Sequence, residues 1–363
     1  MTGSVLIAMS GGVDSSAVAA ILQSQGYICR GATMKLVDDE LVCSVGVGCG
    51  RTCCSFSDIE DARRVAFGLG IPFNIFNFAD DFRQKIIEHF VKSYCEGGTP
   101  NPCIECNRFM KFDKFFRRGI ELGFDFIATG HYARVERDLT TGRYLLKKGL
   151  DESKDQSYVL YMMTQEQLAH VIFPLGNLNK STVRSVAQKH NLINADKNES
   201  QDICFVPDGD YVSFIERYLG KRSEVGDFVD KNGKRLGQHQ GIIRYTIGQR
   251  KGIGIARKTP YYVCSKNIAD NTIVLGDEED LYTEYVEAAD VNLISCERIN
   301  KPLRVTAKVR YRQTEQNGIA EQINDNKIRI KFDTKQKAAA IGQALVLYDH
   351  ETIIGGGTIT ATY

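Results

Sequence analysis

The feature that most constrains this chain is a short apolar run, residues 5–9, that leads directly into the glycine-rich turn Ser10-Gly11-Gly12-Val13-Asp14-Ser15-Ser16. Apolar side chains then recur at helical spacing over residues 14–25. A glycine-rich turn between a strand and a helix N-terminus presents backbone N–H groups and the positive end of the helix dipole, which together favour an anion. The turn is not a Walker sequence, because Asp14 and Ser15 follow where that sequence continues with lysine. We therefore predict a phosphate site here rather than a turn that binds nothing.

Strand and helix patterns alternate through the first half of the chain, which is typical of an α/β domain with a Rossmann-like parallel sheet. The predicted strands are residues 5–9, 27–34, 73–78 and 126–129, and the predicted helices are 14–25, 57–69, 80–94, 109–122, a stretch over 156–190, and 211–219. From about residue 223, glycine-punctuated short strands dominate, and residues 285–363 are almost all alternating strand. These changes predict three domains, residues 1–207, 208–280 and 281–363.

The composition is that of a globular protein and gives no global reason to expect a polyanionic partner. The 363 residues are 43% hydrophobic and 25% charged, with a net charge of +1. The first apolar run is too short for a secretory signal, and no stretch approaches a membrane span, so we expect a cytoplasmic protein with no membrane partner. Eleven cysteines in such a chain indicate thiol chemistry or metal binding rather than a disulfide framework.

Three cysteines are the candidates for that chemistry. Cys103 and Cys106 lie three residues apart in a proline-containing stretch, residues 98–107, and Cys204 follows in residues 199–206. The prolines predict that Cys103 lies in a loop. Cys106 lies close to the N-terminus of the next predicted helix, where the helix dipole would favour its thiolate.

The glycine-rich turn resembles the SGGxDS loop of the PP-loop pyrophosphatase family, whose loop grips the pyrophosphate of ATP and whose enzymes adenylate an oxygen. Together with the cysteine segments, five further motifs resemble the tRNA-specific 2-thiouridylase family over nearly the whole chain. These motifs are Ala128-Thr129-Gly130-His131-Tyr132, Lys154-Asp155-Gln156-Ser157-Tyr158, Gly237-Gln238-His239-Gln240-Gly241, Ile247-Gly248-Gln249-Arg250-Lys251-Gly252 and Arg310-Tyr311-Arg312-Gln313. The resemblance implies a PP-loop α/β domain, a small central domain and a C-terminal β-barrel. It also implies that ATP, with Mg²⁺, adenylates O2 of the wobble uridine of tRNA with release of pyrophosphate, and that sulfur then replaces AMP.

The resemblance further implies roles for individual residues. Cys204 matches the position that carries a persulfide, and Cys106 matches the nucleophile that resolves it by forming a disulfide with Cys204. The implied ATP site comprises Ala8, Met9, Ser10, Gly11, Gly12, Val13, Asp14, Ser15, Met34 and Gly130. The implied tRNA contacts comprise Asn101, Pro102, Cys103, His131, Lys154, Asp155, Gln156, Arg310, Tyr311 and Gln343. The implied partners are tRNA and a sulfur donor or sulfur-relay protein.

One departure from the family pattern leaves two mechanisms open. Many members have Asp where this chain has Cys103, so a carboxylate cannot act from that position. Cys103, Cys106 and Cys204 can instead bind three irons of a [4Fe–4S] cluster, with the fourth iron open for sulfide. The same thiols also support the persulfide route. A PP-loop ligase for a small molecule is a further hypothesis that the remote cysteines disfavour, and an iron–sulfur or tRNA-binding scaffold is a non-enzymatic one.

Basic residues cluster locally despite the small net charge. Alternation along a strand predicts that four of them share one face, where like charges suit a phosphate backbone: Arg304, Lys308, Arg310 and Arg312. Further basic residues extend that surface: Lys111, Lys114, Arg117, Arg118, Arg250 and Lys251. The remaining cysteines are interpreted as incidental loop thiols (Cys43, Cys49, Cys53, Cys54) or as small buried hydrophobic residues (Cys29, Cys95, Cys264, Cys296).

Overall fold

The N-terminal part is an α/β domain built on a five-stranded parallel sheet. The computed structural model describes residues 3–37, 56–197, 203–206 and 208–363. The strand order is β3–β2–β1–β4–β7, with β1 Ser4–Ala8, β2 Ile28–Lys35, β3 Phe73–Asn77, β4 Phe126–Ala128 and β7 Val171–Ile172. Both faces of the sheet are buried, because Leu6 packs into one hydrophobic core and its neighbours Val5 and Ile7 pack into the other.

Helices cover the two faces of this sheet. The first two are α1 (Val13–Ser24) and α2 (Phe56–Gly68). Helix α3 (79–95) consists of Ala79–Phe82, a π-helical turn Arg83–Ile87 and Glu88–Cys95. Helix α4 (102–121) consists of Pro102–Glu105, a π-helical segment Cys106–Phe115 and Phe116–Glu121. The remaining helices are α5 (Gln165–Ala169), α6 (Lys180–Lys189) and α7 (Tyr211–Leu219).

The prediction of one helical stretch over residues 156–190 is wrong. This region contains a 3-10 turn (Ser157–Leu160), α5, β7 and α6 in succession. Periodicity alone did not separate these elements, because each is short and apolar residues pack on both sides of the sheet.

The central part has a four-stranded sheet of order β10–β11–β8–β9. Its strands are β8 (Gly226–Val229), β9 (Arg235–His239), β10 (Tyr262–Asn267) and β11 (Thr272–Gly276). The Asn-Gly turn predicted for a hairpin connects β8 to β9, and Gly233 adopts the positive φ of +81° that the turn requires.

The C-terminal part is a closed antiparallel barrel of six strands. In sequence they are β12 (Tyr282–Leu293), β13 (Leu303–Lys308), β14 (Gln316–Asn324), β15 (Lys327–Lys337), β16 (Ala344–Asp349) and β17 (Thr352–Thr362). Pairing of β12 with β17 closes the ring. The predicted fold class, a parallel-sheet α/β domain with a small central domain and a β-barrel, is confirmed.

A hairpin that the sequence analysis missed extends the barrel sheet. Strands β5 (Ala133–Arg137) and β6 (Tyr144–Lys148) follow the parallel sheet in the chain, yet β6 pairs with β17 of the barrel. The two parts also share buried contacts: Tyr158 donates a hydrogen bond to the carbonyl of Ala344 at 2.8 Å. The barrel is therefore fastened to the α/β domain through both a sheet edge and a common core. No helix in the described ranges is long and apolar enough to cross a membrane.

Candidate active site

The phosphate loop, residues 10–15, connects the carboxyl end of β1 to the start of α1. Gly11 has a φ of +76°, and a Cβ there would lie 2.3 Å from the carbonyl oxygen of Asp58, so this position accepts only glycine. Ser15 closes the loop: its Oγ accepts the N–H of Ser10 and lies 3.1 Å from the carbonyl of Gly12, to which it donates. The loop is compact before any ligand is considered.

Gly130 brings the segment after β4 against the phosphate loop. A Cβ at Gly130 would lie 3.1 Å from the backbone nitrogen of Ser15 and 3.2 Å from Cβ of Asp14. Strands β1 and β4 are neighbours where the strand order reverses, the position at which open α/β sheets bind ligands. The predicted ATP residues 8–15 and Gly130 therefore lie together, and the half-buried Met34 lies on the adjacent strand β2.

Asp14 is held by Tyr132, which lies in a quoted motif without an assigned role, and by Lys180, which no motif includes. The ammonium of Lys180 lies 2.7 and 2.8 Å from the two carboxylate oxygens, and the hydroxyl of Tyr132 donates to one of them at 2.9 Å. Lys180 is the first residue of α6 and its side chain is only 12% exposed. No sequence signal points to the contact between Lys180 and Asp14, because 166 positions separate the two residues.

The helix that carries Cys103 and Cys106 begins earlier than predicted. Helix α4 starts at Pro102, and the side-chain oxygen of Asn101 caps it by accepting the N–H of Cys103 at 3.1 Å. Proline is tolerated at the first helical position because the N–H missing there has no helical partner. Cys103 is therefore an exposed residue of the first helical turn, and the prediction that it lies in a loop is wrong. Cys106 opens the π-helical segment, a kind of distortion that is common at functional sites.

Cys106 and Cys204 pack against one hydrophobic cluster, formed largely by α3, α4 and α7. Phe205 anchors the second cysteine, since its ring is 2% exposed and lies 5.2 Å from Phe90 and 5.3 Å from Phe214. Both thiols are half-buried. Residues 199–202 and Pro207, which belong to the motif and the boundary predicted from the sequence, lie outside the described residues.

The three thiols do not form a metal-binding group in this structure. Cys103 is exposed, whereas Cys106 and Cys204 are half-buried. Within the described parts of the chain, no three His, Cys, Asp or Glu side chains are grouped so that they could hold a metal ion. The arrangement therefore does not fit the three-thiol ligand set of a [4Fe–4S] cluster.

The stretch before α4 is fastened to the barrel. Thr99 donates its N–H to the carbonyl of Ile341 at 2.9 Å, and the side-chain amide of Gln343 donates to the carbonyl of Thr99 at 2.6 Å. Three residues predicted to contact tRNA, Asn101, Pro102 and Gln343, thus lie at one seam between the α/β domain and the barrel.

Residues 154–156 connect the phosphate loop to this seam. Gln156 accepts the N–H of Tyr132 at 3.1 Å, and Tyr132 in turn contacts Asp14. The hydroxyl of Tyr311 donates to the carbonyl of Asp155 at 3.2 Å. Hydrogen bonds, joined by the peptide link between Asp155 and Gln156, therefore connect Asp14 to Tyr311, both of which the resemblance assigns to the site.

His131 is buried beside α4. Its Nδ1 lies 2.7 Å from the hydroxyl of Thr129 and its Nε2 lies 3.3 Å from the ammonium of Lys111. Burial, with the charge of Lys111 beside the ring, holds the pKa of His131 well below its usual value. The ring is therefore neutral and accepts from Lys111, and its contact with tRNA stays a prediction.

The predicted basic strand face is not present. Strand β13 ends at Lys308, so Arg310 and Arg312 follow it in a turn. Arg304 pairs with Asp333, and the half-buried Arg310 donates to the carbonyl of Ala338. Period-2 alternation was extended too far, because the chain leaves the strand before the motif Arg310–Gln313 begins.

Most of the other basic residues proposed for that surface have acidic neighbours. Lys308 lies 3.9 Å from Glu315, and Lys114 lies 2.9 Å from Asp81. Arg117 pairs with Asp113, and Arg118 with Glu121. Arg312, which is exposed and follows the exposed Tyr311, is the remaining basic residue of the motif that faces solvent.

The peripheral cysteines differ from the candidate catalytic thiols. Burial raises the pKa of Cys29 and of Cys264 to about 11, and it also raises the pKa of Cys95 and Cys296. These thiols stay protonated, in keeping with their interpretation as small hydrophobic residues. The predicted loop thiols Cys43, Cys49, Cys53 and Cys54 lie outside the described residues.

Three protein families match consecutive parts of this chain. The tRNA methyl transferase HUP domain matches residues 3–208, the tRNA methyl transferase PRC-barrel domain residues 212–277, and the aminomethyltransferase beta-barrel domain residues 284–359. The chain is 48% identical to the tRNA-specific 2-thiouridylase MnmA of Clostridioides difficile, over 99% of this chain and 98% of that protein. It is 47% identical to the protein of the same name in Acetivibrio thermocellus, over 98% of both chains. A solved 4-thiouridine synthetase–RNA complex with bound ATP is similar at a TM-score of 0.37 and 16% identity, covering 60% of this chain and 50% of that one.

Proposed function

Because this chain belongs to the tRNA-specific 2-thiouridylase family, we propose that it converts the wobble uridine of tRNA to 2-thiouridine with consumption of ATP. The observation that carries this proposal is the segment Thr129–Tyr132. Tyr132 contacts Asp14 of the phosphate loop, and His131 contacts Lys111 of the helix that carries Cys106. One short segment thus contacts both the phosphate loop and helix α4, which carries the candidate nucleophile Cys106.

The proposed first step is adenylation of the uridine O2. A carbonyl oxygen is a poor leaving group, so transfer of AMP from ATP to O2, with loss of pyrophosphate, converts it into one that departs as AMP. The phosphate loop would hold the pyrophosphate portion through backbone N–H groups at the start of α1. Lys180, beside Asp14, adds a positive charge near the same place. Mg²⁺ beside phosphate oxygens commonly takes one or two protein carboxylates; Asp14 would supply one, and the ion would offset phosphate charge.

The proposed second step uses two thiols. The terminal sulfur of a Cys204 persulfide attacks C2 of the adenylated uridine and displaces AMP. The thiolate of Cys106 then attacks Sγ of Cys204, which forms a Cys106–Cys204 disulfide and releases 2-thiouridine. A thiol reductant must reopen that disulfide before the next turnover. The common hydrophobic cluster behind both thiols supports this two-cysteine route over one that also needs the exposed Cys103.

The tRNA is proposed to bind along the seam between the α/β domain and the barrel. That seam carries residues 154–156, Tyr311, Arg312 and the stretch ending at Asn101. A persulfide-bearing donor protein would load Cys204, and the reaction is proposed to take place in the cytoplasm.

The test is mass spectrometry of nucleosides from tRNA incubated with the protein, ATP, Mg²⁺ and a persulfide source, with sulfide used in a parallel incubation that tests the cluster route. We expect 2-thiouridine, AMP and pyrophosphate with the unaltered chain, and loss of 2-thiouridine with Cys106→Ser or Cys204→Ser. Cys103→Ser should retain measurable product under the persulfide route. Cys296→Ser serves as the control, because burial keeps the Cys296 thiol protonated and the residue lies in the barrel.

Three results would count against the proposal. Formation of ADP and phosphate would contradict adenylation. Full activity of Cys204→Ser would remove the persulfide role. Loss of both activity and iron–sulfur absorbance in Cys103→Ser would replace the persulfide route with the cluster route.

A further inference from the structure

Two side chains that lie outside the glycine-rich turn and outside the cysteine segments donate hydrogen bonds to the carbonyl of Gly11; we call this arrangement the clamp. The side-chain amide of Asn194 donates to this oxygen at 3.0 Å, and the ammonium of Lys197 lies 3.2 Å from it. Both residues come from the segment that follows α6. Lys197 stands seven positions before Cys204 in the sequence, so the clamp comes from the chain that leads to the proposed persulfide.

Lys197 is bound on all sides by acceptors. Its ammonium lies 2.6 Å from a carboxylate oxygen of Asp58 and 2.7 Å from one of Asp61, in addition to Gly11. Burial disfavours the charge, but the hydrogen bonds that the ammonium donates to the two carboxylates outweigh this effect and raise the pKa of Lys197. Its three donors are therefore committed to the protein, and two carboxylates offset its charge. This residue is a tie between α2 and the loop rather than an additional cation for a nucleotide.

The buried side-chain amide of Asn194 also holds the phosphate loop. It is 3% exposed, and its amide nitrogen also donates to Oγ of Ser16 at 2.8 Å. Its side-chain oxygen has no hydrogen-bond partner among the described residues. A buried amide that leaves its acceptor unsatisfied is costly, so the gain must come from the two bonds that its nitrogen makes.

These bonds determine which way the loop amides point. In a trans peptide, the carbonyl and the following N–H point in opposite directions, so fixing the carbonyl of Gly11 turns the N–H of Gly12 away from the clamp. The carbonyl of Gly12 is fixed in turn by the hydroxyls of Ser15 and Ser16, at 3.1 and 3.0 Å, which turns away the N–H of Val13. Within the described residues, neither N–H has a protein acceptor.

We propose that Asn194 and Lys197 are positioning residues that hold the Gly11 carbonyl inward and thereby aim the loop N–H groups at the pyrophosphate of ATP. The inference rests on the proposed ATP site. It implies that both residues strengthen binding of the β- and γ-phosphates. They should not strengthen binding of AMP, which lacks these phosphates.

The test compares the affinities of full-length variants for ATP, pyrophosphate and AMP by isothermal titration calorimetry. Asn194→Asp keeps the size of the side chain but places a carboxylate oxygen against the Gly11 carbonyl. We expect it to weaken ATP and pyrophosphate binding about tenfold or more and to leave AMP binding within about twofold. Asn194→Ala, which removes the donor without repulsion, should lie between Asn194→Asp and the unaltered chain. Lys197→Gln should also weaken ATP binding more than AMP binding.

Thr164→Ala is the control, because it removes a helix cap of α5 far along the chain from the loop and lowers stability without touching Gly11. It should leave the ratio of ATP to AMP affinity unchanged. Equal losses of ATP and AMP affinity in the Asn194 variants, or unchanged ATP affinity in both, would overturn the positioning role. If the unaltered chain itself binds ATP no better than AMP, the proposed ATP site fails together with the inference.

Discussion

Substituting Gly130 by alanine should impair the use of ATP without unfolding the protein. The added Cβ would lie 3.1 Å from the nitrogen of Ser15 and 3.3 Å from the carbonyl carbon of Asp14, so the phosphate loop or the segment after β4 must move by a few tenths of an ångström. Overpacking of this kind costs about 1–3 kcal/mol. If that cost falls on the ATP-bound state, kcat/KM for ATP decreases about 5- to 150-fold.

The assay is pyrophosphate release in the presence of tRNA, measured over a range of ATP concentrations, with the melting temperature recorded for each variant. Gly68→Ala is the matched control, because a Cβ at Gly68 meets nothing within 4 Å. It should leave the kinetics unchanged and keep or slightly raise stability. An unchanged kcat/KM for Gly130→Ala would refute the reasoning that the two segments form one rigid nucleotide site. A loss of melting temperature in proportion to activity would instead indicate a general packing defect.

The seam, the buried histidine and the barrel surface give three further predictions. Tyr158→Phe removes the buried hydrogen bond to Ala344 and should lower the free energy of unfolding by about 1 kcal/mol, measured by denaturant titration, with KM for ATP unchanged. The pKa of His131 is held below the usual 6.5 in the folded chain, so the unfolded chain binds the proton first as pH falls. The free energy of unfolding should therefore decline below pH 6.5. His131→Gln should flatten that decline, and an identical pH profile for this variant would contradict the prediction. Arg312→Ala should reduce the slope of tRNA affinity against salt by about one unit, whereas Arg310→Ala should chiefly lower the melting temperature.

The local parts of the site could be read from the sequence because they depend on neighbouring residues. The strand, the glycine-rich turn and helix α1 follow from a run of apolar residues, two glycines and helical spacing within one short stretch. The roles of Cys106 and Cys204 came from the resemblance of their segments to a known family, and both residues lie against one cluster in the fold. The start of α4 at Pro102 was misjudged, although the asparagine before it and the tolerance of proline at a first helical position are themselves sequence signals.

Other features were decided only when distant segments met. Lys180 reaches Asp14, and Asn194 and Lys197 reach Gly11, across more than a hundred and fifty positions of sequence. Hydrophobic periodicity specifies which face of a helix is buried, but it does not specify which polar group at the rim will meet which partner. The pairing of β6 with β17 was likewise decided by tertiary structure, since the unpaired backbone groups of a strand edge do not specify which strand will pair with them. The sequence alone therefore determined the architecture, the glycine-rich loop and the candidate thiols, whereas the tertiary structure decided which side chains hold the carbonyl of Gly11 in that loop.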